Sequence, residues 1–183
     1  MRGRIAESAL NQILKHGLRK FTIDDITTDL GISKKTIYNN FASKSQIIEY
    51  VLDTCVTEEL AMQEKVMAST QSFRERFEAL ILPAEQQSIP TQVLAELQQF
   101  YPELWDKCAE AVHITRNKIL QIYAEGMRNG EIRSDVHPAV IDLVVKNAID
   151  GVLDYRLLSE NDISMVQALN SVKSMVLDGI MLK

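Results

Sequence analysis

Glycine and proline are scarce in this chain, with seven and four of 183 residues. Architectures built from many short strands consume both at their turns, so an all-β fold is excluded on composition. Cysteine is scarcer still: Cys55 and Cys108 lie far apart and form no CxxC unit, which reads as reduced thiols. His16, His113 and His137 are scattered without metal-ligand spacing. There is no Gly-rich phosphate loop, no Gly-x-Ser-x-Gly elbow and no His-Glu-x-x-His pair. No apolar run approaches the roughly 18 residues that cross a bilayer. Met1-Arg2-Gly3-Arg4 enters an amphipathic pattern directly, without the apolar block of a signal peptide. The expectation is a soluble, cytoplasmic protein without membrane association, cofactor, metal or catalytic machinery.

Hydrophobic residues make up 46% and charged residues 25%, an ordinary globular balance that argues against disorder. The net charge of −5 hides an asymmetry. Residues 1–50 carry eight Lys/Arg against five acids, a net of +3, and the remainder carries −8. One positive lobe lets an acidic protein meet a polyanion, although so modest an excess decides nothing alone.

Helical period dominates. Ile5, Ala6, Ala9, Leu10, Ile13 and Leu14 recur at steps of three and four, and His16-Gly17 offers a stop. Three helix starts then follow within 22 residues: Thr22 with acids in the first turn, Ser33 after Gly31-Ile32, and Ser43 with Gln46 as its capping-box partner. Helices so short need neighbours to be stable. Further helices are expected from Lys44 to about Met67 and at 71–82, 91–99, 102–128, 138–158 and 163–181. Pro83, Pro90, Asn129-Gly130 and residues 159–162 mark breaks. The fold class is all-α, with about nine helices.

Residues 22–44 carry the functional signal. Two short helices joined through Gly31, with Ile23, Ile26, Leu30, Ile32, Ile37 and Phe41 locking their angle, make a helix–turn–helix. Burying those leaves Lys34, Lys35, Thr36, Tyr38, Asn39 and Asn40 outward on the second helix. No acid occurs from Leu30 to Ile48, as a phosphate partner favours. Asn39 or Asn40 suits adenine and Lys35 suits guanine; a docking angle is needed to choose among them.

The segment FTIDDITTDLGISKKTIYNNFASKSQIIEYVL resembles the N-terminal domain of the tetracycline-repressor-like regulators. Thr22, Gly31-Ile32-Ser33, Thr36-Ile37-Tyr38, Phe41 and Ser43-Lys44 carry the resemblance, and residues 100–138 are similar to a stretch common in that family's ligand-binding region. Lys35 stands where the family often has Gly, Thr27 where it has Ala, and Asn39 and Asn40 where it has His or Tyr, which suggests a distinct operator. The resemblance implies that Thr22, Tyr38 and Lys44 contact phosphates, with Lys34, Lys35, Thr36, Asn39 and Asn40 as base readers and Ser33 beside them. It implies a DNA-binding domain at 1–45 and an effector-binding and dimerisation domain at 46–183. It implies a homodimer on a palindromic operator in double-stranded DNA, repressing until a small-molecule effector releases it.

Phe77, Phe100, Trp105, His113 and Tyr123 are the candidate effector-pocket residues, aromatic or polar-tipped in an apolar segment. The helix at 138–158 is apolar almost all round, and the last helix carries an apolar stripe. Val145, Ile149, Val152, Leu169, Val172 and Val176 are the candidate dimer contacts. The competing reading is a helical small-molecule-binding or scaffold protein without DNA function; the acid-free face and the positive first 50 residues favour DNA.

Overall fold

A computed structural model describes residues 1–81 and 89–181. Pro83, read above as a break, lies outside the described residues. Among them are ten α-helices and no strand, with one isolated bridge between Ile132 and Met181. In chain order they are α1 (Arg2–His16), α2 (Ile23–Leu30), α3 (Lys34–Tyr38), α4 (Lys44–Met67), α5 (Phe73–Ile81), α6 (Thr91–Phe100), α7 (Pro102–Arg128), α8 (Pro138–Leu153), α9 (Tyr155–Glu160) and α10 (Met165–Ile180).

The chain forms two compact units. The first comprises Met1–Glu58 and Gln92–Cys108, the second Glu59–Thr91 and Ala109–Lys183. The expected boundary after residue 45 falls inside the first unit. The opening turns of α4 bury Ile47, Ile48 and Val51, and Tyr50 meets Phe41 edge-on at 5.4 Å between ring centres.

In the first unit, Ile5, Ala9 and Ile13 of α1 are buried, as are Leu18, Phe21, Ile26, Ile37 and Phe41. Gly17 ends α1 at φ +87°, where its N–H returns to the Ile13 carbonyl. Any side chain at that φ is strained. A Cβ there would also stand 2.8 Å from side-chain atoms of Gln92 and Glu96.

In the second unit a core forms from Phe73, Phe77, Leu80 and Ile81 of α5, Ile119, Ile122 and Tyr123 of α7, Ile132 between α7 and α8, Ile141 and Val145 of α8, and Val176, Leu177 and Ile180 of α10. Two boundaries differ from expectation for local reasons. The helix expected over 138–158 is two helices. Asp154 ends α8 and starts α9, its carboxylate accepting from the Arg156 N–H at 2.9 Å. The fifth helix begins at Phe73 rather than 71, because Ser72 and Glu75 form a capping box: Glu75 accepts from the Ser72 N–H at 2.9 Å.

Candidate nucleic-acid interface

Two caps and one left-handed residue fix the geometry. The Thr22 hydroxyl accepts from the Asp25 N–H at 3.2 Å, while the Asp25 carboxylate accepts from the Thr22 N–H at 2.7 Å and hydroxyl at 2.8 Å. Those bonds, the hydroxyl's first, hold the Asp25 carboxyl below its ordinary pKa. Gly31 closes α2 in the left-handed region at φ +63°, its N–H bonded to the Thr27 carbonyl. Ser33 then opens α3, accepting from the Thr36 N–H at 3.2 Å. Ile26 and Ile37 are fully buried. They lock the two helices while the polar residues between them stay outside.

α3 ends at Tyr38, which moves two expected members of its outward face. Asn39 is the C-cap and stays exposed. Asn40 lies beyond the helix, half-buried, and its amide N–H donates to the Thr36 carbonyl at 2.8 Å. One of its two functional ends is therefore committed to the backbone. Lys35 and Tyr38 project into solvent, Tyr38 with half its surface exposed. Thr36 is half-buried, its hydroxyl 3.1 Å from that of Ser33.

Lys34 is exposed but partnered, with its ammonium 2.8 Å from the Asp24 carboxylate of α2. That bond raises the lysine's pKa. The stretch from Leu30 to Ile48 lacks acids in sequence, yet the fold brings one to its edge. Asp24 lies between the apolar locks Ile23 and Ile26 and gave no sign of this role.

Lys44 opens α4 under tighter control. Its ammonium donates to the Arg19 carbonyl at 2.9 Å and lies 4.2 Å from the Phe21 ring centre. Burial lowers its pKa against the opposing pull of Glu96 and Asp25. Ser43 caps the helix by accepting from the Gln46 N–H at 3.1 Å; Gln46 reaches past Ser43 to accept from the Ala42 N–H at 2.6 Å. Arg2 lies over both Phe41 and Tyr50, at 4.7 and 4.8 Å from their centres. This places another cation in the unit that sequence reasoning left unassigned.

The five pocket candidates are not gathered at one place. Phe77 and Tyr123 belong to the core of the second unit, where the Tyr123 hydroxyl donates to the Val136 carbonyl at 3.2 Å. His113 of that unit is exposed. Phe100 and Trp105 belong to the first unit, where Arg19 covers the Phe100 ring at 4.5 Å. That unit holds a cleft of about 510 Å³ between the start of α4 (Ser43, Gln46, Glu49) and the α6–α7 junction (Phe100, Tyr101, Glu103). Trp105 is not among the residues lining it. The second unit has a polar cluster that the sequence did not suggest. Lys118 is buried with its ammonium 2.8 Å from Glu64 and 3.2 Å from the Gln63 carbonyl oxygen; Gln63 donates to Glu59 and Thr115.

The expected dimer stripe faces inward. Val145, Val152 and Val176 are buried in their own unit, and Ile149, Leu169 and Val172 are half-buried against its core. The outward apolar residues are their neighbours: Val140, Leu143 and Val144 on α8, Leu157 on α9 and Met175 on α10, each with 44–68% of its surface exposed. On a helix apolar all round, periodicity cannot say which stripe meets its own core. Among the described residues no helix is long and apolar enough to cross a membrane, and no cluster of metal-ligating residues occurs.

Fold and site together define a helix–turn–helix protein. Residues 5–51 match the family model for bacterial regulatory proteins, tetR family. It is 21% identical over 182 residues to the fatty acid metabolism regulator protein of Bacillus subtilis, covering 97% of this chain and 94% of the relative. A transcriptional regulator from Saccharomonospora viridis, solved with choline, superposes with TM-score 0.75 at 22% identity, covering 100% of this chain and 98% of the other. The regulator FadR from Bacillus subtilis, solved with stearoyl-CoA, gives TM-score 0.62 at 18% identity, covering 98% and 99%. All three are named as regulators, and the fold shared with the two solved structures covers 98–100% of this chain.

Proposed function

We propose that this protein is a repressor that binds a palindromic operator in double-stranded DNA as a homodimer and is released by a small-molecule effector. The observation that carries the reading is the pair α2–α3, locked by Ile26 and Ile37 and presenting Lys35, Tyr38 and Asn39 to solvent. Residues 1–45 read the DNA. Lys35 and Asn39 are the base readers best placed to act, with Lys34, Thr36 and Asn40 holding internal partners in the free protein. Tyr38 and Lys44 contact phosphates, Lys44 from a helix N-terminus that attracts anions. Thr22 joins them by turning its hydroxyl from Asp25 to the backbone, and Ser33 holds α3 in place.

Dimerisation is assigned to residues 46–183, on the outward α8–α10 face of Val140, Leu143, Val144, Leu157 and Met175. Exposed apolar residues gathered on neighbouring helices support an interaction site, and a two-fold pair is the commonest closed assembly. The effector is assigned to the second unit, around α5 and α7. The relatives solved with choline and with stearoyl-CoA support a small-molecule effector by similarity of fold.

The experiment is a salt titration of binding to duplex DNA from the region upstream of the gene. A regulator gives a steep linear fall of log affinity with log salt and a preference for one sequence that survives at high salt. Binding that vanishes uniformly for all sequences would sink the operator claim.

A further inference from the structure

Arg76 of α5 is the most deeply buried cation among the described residues, with 6% of its surface exposed. Its neighbours along the helix, Phe73, Phe77 and Leu80, are core residues. One end of the guanidinium is satisfied, since Nη1 donates to the Glu125 carboxylate at 2.7 Å. The other edge is not. Nε is buried without an acceptor among the described residues, and Glu125 is reached through Nη1 alone.

Two other arginines of the same unit show what that edge is suited to. Arg116 donates through Nε and Nη2 to the two oxygens of Asp142, at 2.6 Å each. Arg133 turns the same edge to Asp135. Nε and Nη2 present parallel N–H groups whose spacing matches a carboxylate. Among the described residues Arg76 keeps the Nε N–H of this fork buried without an acceptor, where an unmet N–H is costly and an acceptor correspondingly valuable. Bonds from Arg76 and then from Gln121, at 2.7 and 3.2 Å, hold the Glu125 carboxyl ionised; it offsets the guanidinium's charge but leaves that Nε N–H without an acceptor.

We propose that the Nε–Nη2 edge of Arg76 receives the carboxylate of the effector, which is an amphiphilic acid with its apolar body against α5 and α7. This rests on the effector reading above and deepens it. Met67 and Met127, half-buried at the margin of the core, are unbranched and can repack around an apolar chain. A quaternary ammonium, the class to which choline belongs, has nothing to accept from this fork.

The test is thermal unfolding of the full chain with decanoate, decanol or decyltrimethylammonium. Decanoate alone should raise Tm, saturably. Arg76→Lys keeps the charge but loses the fork and should weaken decanoate by about tenfold or more. Arg133→Lys, which alters an exposed fork, should leave it unchanged. Equal stabilisation by decanol, no saturable shift with decanoate, or undiminished binding by Arg76→Lys would each overturn the proposal. If Arg76→Lys fails to fold, the three wild-type titrations decide. Release of operator DNA by decanol or decyltrimethylammonium, with decanoate inert, would overturn the acid and leave the effector reading standing.

Discussion

The two units of this chain reach their structures by different routes. In the first, geometry is set locally: Thr22, Gly31, Ser33 and Ser43 each close or open a helix within a few residues of themselves. In the second, long helices have several apolar faces, and tertiary packing chooses which turns inward. A local device can be read from a short window of sequence. A choice between faces needs the partner helices. The proposed function divides the same way, with base reading assigned where the backbone is most tightly prescribed.

The largest effect that would break this contrast lies on α8. Val145→Glu buries a charge in the second unit's core and should cost several kcal/mol, seen as loss of helical circular dichroism and of the unfolding transition. Val144→Glu, one residue away and exposed, should change stability by less than about 1 kcal/mol while converting a dimer to a monomer in sedimentation. A dimeric Val144→Glu with unaltered DNA binding would move the interface off this face.

Next come the two adjacent lysines of α3. Lys35→Ala should cost about 1–3 kcal/mol at the operator and relax preference at one or two base pairs. Lys34→Ala should cost less, since its ammonium already has a partner, and Asp24→Asn should tighten binding. Equal losses for both lysines would mean that the Asp24 contact has no bearing on recognition.

The caps offer a smaller, matched pair. Thr22→Ala in the first unit and Ser72→Ala in the second should each lose about 1 kcal/mol. Hydrogen exchange should place the first loss in α2 and the second in α5; a loss spread over both units would show that they unfold as one.

The smallest effect is a pH dependence. The Asp25 carboxyl titrates below its ordinary 3.8 in the folded chain, so its cap is complete above that value. The contribution fades as pH falls through the lowered folded pKa. Asp25→Asn should flatten the acid limb of the unfolding curve by lowering stability at neutral pH and leaving it nearly unchanged at the acid end.

The helices and their order were legible because apolar residues recur at helical period from Ile5 onward and because the breaks are marked by Gly, Pro and polar clusters. The interface was legible as a set of residue types on α3. It was not legible as a set of free side chains, since Asn40's bond to Thr36 and Lys34's to Asp24 depend on how a five-residue helix ends and where α2 points. The split at Asp154 was readable in principle, for an acid two residues before an N–H it can cap is a helix start, but it was hidden by continuous apolar period across 152–158. The inward and outward stripes of α8 differ by a single residue, and only the neighbours α5 and α10 separate them.

The contact between Asp24 and Lys34 has a consequence for how this protein counts ions. If residues 1–45 read DNA as proposed, Asp24 acts as a surrogate phosphate carried by the reading domain itself. When Lys34 turns to DNA it exchanges one anion for another, so it adds only the difference between two ion pairs. A backbone encountered at random offers little better than Asp24 already does, whereas a base edge aligned by a correct operator adds directional hydrogen bonds. Lys34 should thereby be quiet on most DNA, and the salt dependence of random binding should register fewer cations than the sequence of α3 displays.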